Sequence, residues 1–230
     1  MAMVKDSFFS LLSQIRSICG KCHRDYSEIT LVAVTKTQDI ETIKEAISGG
    51  ITQIGENYIQ EANRKFAQLK ANAIKWHFIG NLQKNKAKYA VKIFDLVHSV
   101  DSLDLAISLD KEARKINKFQ DILIQVNVAK ESTKSGVYAE NLFELVKYIS
   151  ELKNLRLKGL MTIAPFVDSP EKSRPVFRRL KELIQELNNS GILSYKLNVL
   201  SMGMSLDYHI AIEEGATMLR IGRLIFGERK

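Results

Sequence analysis

Apolar positions along the chain switch between two periods. Short apolar runs at residues 30–35, 53–55, 76–80, 96–99, 121–128, 157–162, 197–201 and 218–221 read as eight strands. Between them, apolar residues recur three and four positions apart at 39–48, 58–69, 83–91, 102–116, 139–152, 171–188 and 207–214, and these stretches read as helices. One more amphipathic helix, from about residue 5, precedes the first strand. The run Ile122-Leu123-Ile124-Gln125-Val126 is continuous rather than alternating, as a parallel strand covered on both faces requires. Eight strand-helix units predict an α/β fold: a single (β/α)8 TIM barrel with an extra N-terminal helix, occupying residues 1–230 as one domain. The alternative is an open doubly wound sheet, but its dinucleotide-binding form carries a glycine-rich first turn, and residues 33–39 contain no glycine.

Composition narrows the class. A chain of 230 residues, 45% hydrophobic and 26% charged, is neither disordered nor fibrous. Lys and Arg number 34 against 26 Asp and Glu, and the resulting +8 suits a phosphate, a nucleic acid or an anionic membrane. The densest basic clusters, Lys84/Lys86/Lys88 and Arg178/Arg179/Lys181, sit in amphipathic patterns and read as solvated helix faces, so no nucleic-acid partner is expected. No run approaches the roughly 18 apolar residues of a membrane span, and the start lacks the apolar core of a signal peptide. A cytoplasmic protein with no membrane partner is therefore expected, and, without a coiled-coil pattern, a monomer. Cys19 and Cys22 with His23 match a redox or haem-attachment spacing, but they close a helix rather than follow a strand, so ordinary thiols are expected.

In a barrel the C-terminal ends of the strands form the functional face. Lys36 follows the first strand directly, where partial desolvation raises the free-base fraction of an amine and fits it to attack an aldehyde. The plain alternative is a lysine in a surface loop. After the seventh strand, residues 201–207 have the makings of an anion cradle: Gly203 permits close backbone approach, and Ser201 and Ser205 supply hydroxyls. Simple N-capping by Ser205 or Asp207 is the other reading. Arg220, Gly222 and Arg223 cluster at the end of the eighth strand, and barrel phosphate sites commonly use the loops after strands seven and eight. A lysine facing such a cradle suits a phosphorylated aldehyde, either pyridoxal 5'-phosphate (PLP) or a sugar phosphate.

These residues lie within longer motifs: 34–37 (Val-Thr-Lys-Thr), 55–61, 76–86, 159–162, 201–205 and 220–227. In that order, spanning nearly the whole chain, they resemble the PLP homeostasis protein family, also called the YggS or PROSC family. The resemblance implies a barrel like the N-terminal domain of alanine racemase, with PLP as cofactor and Schiff-base partner of Lys36. It implies a role in intracellular PLP homeostasis, and indirectly in amino-acid and keto-acid balance, with no established turnover and with PLP-dependent apo-enzymes as recipients. It further implies that Ser201, Gly203, Gly222 and the Arg223 backbone surround the phosphate while Arg220 approaches the pyridine nitrogen. Asn57 and Met161 are expected to line the ring or its 3-hydroxyl, and His77 to be a satisfied core residue. A guanidinium beside the pyridine nitrogen disfavours a second proton there, which argues against an aminotransferase. Amino-acid racemisation is the alternative, though it needs a second base that alanine racemases take from an additional C-terminal domain. A class I aldolase is the third reading.

Overall fold

The computed structural model describes residues 3–69, 73–131, 133–166 and 168–228. Helix α1 (Met3–Lys21) precedes eight strand-helix units. They are β1 (Thr30–Val34) and α2 (Ile40–Ser48), β2 (Gln53–Glu56) and α3 (Ile59–Leu69), β3 (Lys75–Phe78) and α4 (Ala87–Ile93), and β4 (Leu96–Val100) and α5 (Leu103–Lys115). Then follow β5 (Gln120–Gln125) and α6 (Leu142–Ser150), β6 (Leu155–Met161) and α7 (Arg174–Asn189), β7 (Val199–Ser201) and α8 (Tyr208–Glu213), and β8 (Met218–Ile221) and α9 (Arg223–Phe226). The strands are parallel and run in chain order round a closed barrel, as the sequence predicts. β8 closes it against β1, with Thr30 opposite Met218 and Val32 opposite Arg220.

Element ends depart from the hydrophobic pattern where side chains and loops capture backbone groups. β5 stops at Gln125, before the expected Val128, because Val126 bridges Val137 and the Asn127 amide donates to the Val137 carbonyl. β7 begins at Val199 rather than Leu197, whose amide donates to Asn188 Oδ1 at 2.7 Å. Helix α4 starts at Ala87 after a single 3-10 turn, Lys84–Lys86.

Side chains alternate between the barrel interior and the helix layer. Val32, Leu96, Leu123, Met161 and Met218, from five strands, pack as one cluster inside the barrel. The larger core lies between strands and helices, and Phe8, Leu11, Ile15 and Cys19 of α1 belong to it at the spacing of one helix face. Helix α9 is only four residues long, too short to cover the flank of β8, and α1 packs against α2, α8 and α9 in that place. The extra N-terminal helix thus stands in for a full-length eighth one.

Arg24, just past α1, ties this cover down. Its Nη1 donates to the Ile212 carbonyl at 2.8 Å, in the last turn of α8, and to the Ala216 carbonyl at 2.7 Å, in the loop that leads to β8. A cation at a helix C-terminus satisfies carbonyls that lack intrahelical partners and opposes the helix dipole. Arg24→Met is expected to lower unfolding stability by about 1.5–3 kcal/mol, the worth of hydrogen bonds from a charged donor, measured by urea denaturation. A midpoint equal to that of the parent protein would show that α1 is held by its apolar face alone.

Cys19 is buried and Cys22 half-buried, neither is in a disulfide, and burial pushes the Cys19 thiol up. Among the described residues no helix is long and apolar enough to cross a membrane, and no group of three or more His, Cys, Asp or Glu side chains could hold a metal.

Candidate functional site

A cavity of about 680 Å³ opens at the C-terminal ends of the strands, a volume suited to a cofactor-sized molecule. Lys36, Asn57, Arg220, Gly222 and Arg223 line it, with Ser205 from the β7–α8 loop and Lys134 from the β5–α6 loop. Five of the eight residues expected from sequence therefore line one cavity. The other three do not line it, and for Met161 and Ser201 the reason is depth along the strand. Met161 is fully buried in the interior cluster beneath the cavity, and Ile163, two positions further along, takes the wall instead. Ser201 is also fully buried, its hydroxyl accepting from Arg220. Gly203 shapes the loop: at φ +90° a Cβ would lie 2.5 Å from that of Ala211, so this chain path needs glycine. Asp207 folds the same loop back, accepting from the Met204 amide at 2.7 Å.

Lys36 is the second residue of a tight turn, closed by the Gln38 amide donating to the Thr35 carbonyl at 3.0 Å. Thr37 in this turn has φ +66°, an uncommon conformation for a β-branched residue that surroundings must enforce. They do so through a buried ion cluster. Lys65 Nζ donates to the Thr35 carbonyl at 2.6 Å, to Glu56 Oε1 at 2.8 Å and to Glu61 Oε1 at 2.7 Å. Glu61 Oε1 in turn accepts from the Thr37 amide at 2.6 Å, and Glu56 Oε1 from the Thr35 hydroxyl at 2.6 Å. Burial pushes the Glu56 carboxyl above its usual range, with the Lys65 ammonium and the Lys65 and Thr35 hydrogen bonds pulling the other way. Lys65 lies on the buried face of α3 with Ile59, Ala62 and Leu69, where the helix period alone would place an apolar side chain.

Arg220 forms the opposite boundary. It is 4% exposed, donating from Nη1 to Ser201 Oγ at 2.7 Å and from Nη2 to the Thr162 carbonyl at 2.8 Å. Burial pulls it down to about 10, while the Asp207 carboxylate pushes it up, so it remains a cation at neutral pH. Asn57 Oδ1 is buried and unpaired, an orphaned polar atom that marks a place for a ligand group. Gly222 lets β8 approach β1 closely, since a Cβ there would meet the Val34 carbonyl at 3.2 Å.

Sequence reasoning missed His98, Glu56 and Lys65. For His98 the signal was present: a polar residue at the inward parity of a strand whose five residues are all buried. His77, expected as a satisfied core residue, is 2% exposed and hydrogen-bonded at both ring nitrogens.

Comparison with known proteins gives a consistent picture. The family described as "Alanine racemase, N-terminal domain" matches residues 12–230. A pyridoxal phosphate homeostasis protein of Aquifex aeolicus (strain VF5) is 46% identical over 220 residues, covering 96% of each chain. A protein of the same name from Vibrio alginolyticus is 41% identical over 233 residues, covering 100% of this chain and 99% of that one. The solved structure of PipY from Synechococcus elongatus PCC7942 with PLP bound matches at a TM-score of 0.86 and 34% identity, covering 97% of this chain and 100% of PipY. The alanine racemase of Clostridium difficile 630, at 13% identity and a TM-score of 0.72, shares the fold over 95% of this chain and 56% of its own.

Proposed function

This chain belongs to the pyridoxal phosphate homeostasis protein family, and from that premise we propose that it holds PLP through Lys36 as an intracellular cofactor carrier. The observation that supports the reading is the convergence of Lys36, Arg220, Gly222, Arg223 and the unpaired Asn57 Oδ1 on one cavity. Bound PLP supplies an aldehyde and a conjugated pyridine ring. The chain supplies the rest. The Lys36 amine is the nucleophile for the aldehyde, aimed by a turn that Lys65 and Glu61 brace from behind. Gly222, the Arg223 backbone and Ser205 form the phosphate side, with Gly203 setting the path of the loop that carries Ser205. Asn57 faces the ring 3-hydroxyl. Arg220, hydrogen-bonded to Ser201, would meet the ring nitrogen, and Met161 would act only as packing in the barrel interior.

Arg220 also supports holding over turnover. A donor-only cation at the ring nitrogen keeps a second proton off it and weakens the ring as an electron sink. We read the chain as one barrel domain acting as a monomer, with PLP-dependent apo-enzymes as recipients and no catalytic cycle of its own.

The test is to add PLP, record the absorption spectrum, reduce with borohydride and map the peptides by mass. A reduced pyridoxyl group on the peptide containing Lys36 is expected, together with no inversion of L-alanine by the loaded protein. A pyridoxyl group elsewhere, or none, would overturn the site. Inversion that disappears in Lys36→Ala would replace the carrier by a racemase.

A further inference from the structure

One hydrogen-bonded chain of side chains runs through the barrel interior to the cavity wall. Gln53 Oε1 lies 2.8 Å from His77 Nε2, His77 Nδ1 lies 2.9 Å from His98 Nε2, and His98 Nδ1 lies 2.9 Å from Ser201 Oγ. Ser201 Oγ then accepts from Arg220 Nη1. The five residues come from β2, β3, β4, β7 and β8, so the chain crosses the barrel rather than following one wall.

Chemistry at the Arg220 end sets the direction of every hydrogen. A guanidinium has donors only, so Ser201 Oγ must be the acceptor of that bond. The Ser201 hydroxyl is fully buried, and leaving its hydrogen unpaired there is costly, so it goes to the other partner, His98 Nδ1. An imidazole that accepts at Nδ1 and stays neutral carries its hydrogen on Nε2, and His98 therefore donates to His77 Nδ1. By the same step His77 donates from Nε2 to Gln53 Oε1. Burial keeps both rings neutral: His77 is pulled down to about 3, helped by the Lys75 charge, and His98 lies well below its usual value, helped by His77 and Arg220. A hydroxyl that gives its hydrogen away also becomes a better acceptor, so the imidazole pair strengthens the hold of Ser201 on Arg220.

We infer that His98, backed by His77 and Gln53, is a positioning residue for Arg220: it draws the Ser201 hydrogen away from the guanidinium and so fixes the cation at the cavity wall. The consequence for the cofactor rests on the reading that Arg220 faces the PLP ring nitrogen. The orientation of the chain itself does not.

Two measurements test it. Long-range proton-nitrogen NMR of the full chain labelled with 15N-histidine, without PLP, is expected to show both buried rings as neutral Nε2–H tautomers. An Nδ1–H tautomer or an imidazolium at either ring overturns the inference. With PLP added, His98→Leu is expected to displace the absorption band and release PLP roughly tenfold faster, the loss of one hydrogen bond to a charged group. His98→Gln, whose amide oxygen accepts the Ser201 hydrogen, is expected to restore both. A His98→Leu protein with unchanged band and release rate would also overturn the inference. Should His98→Leu fail to fold, the tautomers and the His98→Gln protein decide the matter. Failure of the unmodified protein to take up PLP would instead sink the proposed function, while the tautomers still report on the chain.

Discussion

Lys65→Met is expected to destabilise the protein by about 3–5 kcal/mol at neutral pH, the cost of stranding a buried charge. The stranded group is Glu56, fully buried and held by Lys65 and Thr35, with its Oε2 already unpaired. The pH dependence has a definite sign. Burial already raises the Glu56 carboxyl, and removing the ammonium raises it further. An acid raised in the folded state binds its proton more tightly there than in the unfolded chain. Stability is therefore lost as pH rises from the unfolded carboxylate range, about 4.3, up through the folded value, and recovered as pH falls. Urea denaturation should show a wide gap between variant and parent at pH 8 and a narrower one at pH 5. Adding Glu56→Gln to Lys65→Met should recover much of the loss, since an amide oxygen still accepts from Thr35 without a charge. The turn bearing Lys36 would suffer too, because the Thr35 carbonyl loses its ammonium partner and Glu61, which holds the Thr37 amide, loses its counterion. A gap that is the same at both pH values would show that Glu56 is not the stranded group.

The second large effect is steric. Gly80 follows β3, and a Cβ there would fall 2.1 Å from the Asn57 carbonyl oxygen and 2.8 Å from two other Asn57 backbone atoms. No flexible side chain lies in the way to move aside, so the backbone carrying Asn57 must shift. Gly80→Ala is expected to cost about 3 kcal/mol, the upper part of the usual overpacking range, and to reduce PLP retention in the same variant. Gly20→Ala is the control of opposite sign. Position 20 is inside α1 with nothing within 4 Å of the added methyl, so a gain of about 0.5–1 kcal/mol is expected. Thermal melts of the two variants, moving in opposite directions, would separate the clash from any general effect of alanine. Equal melting temperatures for Gly80→Ala and the parent would show that the Asn57 segment yields freely.

How much of this was legible in the sequence follows from where each signal lives. The β8 limits, Met218–Ile221, coincide with the apolar run, which is bounded by a turn and then by Gly222. The end of β5 does not, because the Val126 and Asn127 side chains look strand-like while their backbone pairs with Val137, a loop residue beyond the reach of local pattern. The site divides the same way. Lys36, Gly222 and Arg223 stand directly after strand runs and Arg220 one residue before the end of the last, so one rule about barrel mouths found them. Depth within the barrel was hidden. Met161 and Ser201 differ from wall residues only in how far down the strand they sit, a matter of register between neighbouring strands. The Glu56, Glu61 and Lys65 cluster was hidden for another reason: a lysine in a helical pattern reads as solvated, and only tertiary packing turns it inward.

The closure of β8 on β1 fixes an order of events during synthesis. β1 is the first strand to be made and Met218–Ile221, which cover one of its edges, are the last. At about 5–20 residues per second, β1 waits on the order of ten seconds or more with that edge unpaired. The Arg24 hook has no carbonyls to grip in that interval, because Ile212 and Ala216 also arrive late. The β1–β8 seam and the Arg24 hook therefore cannot form until residues 212–221 have been made, so the contacts that close the ring all join parts of the chain far apart in sequence.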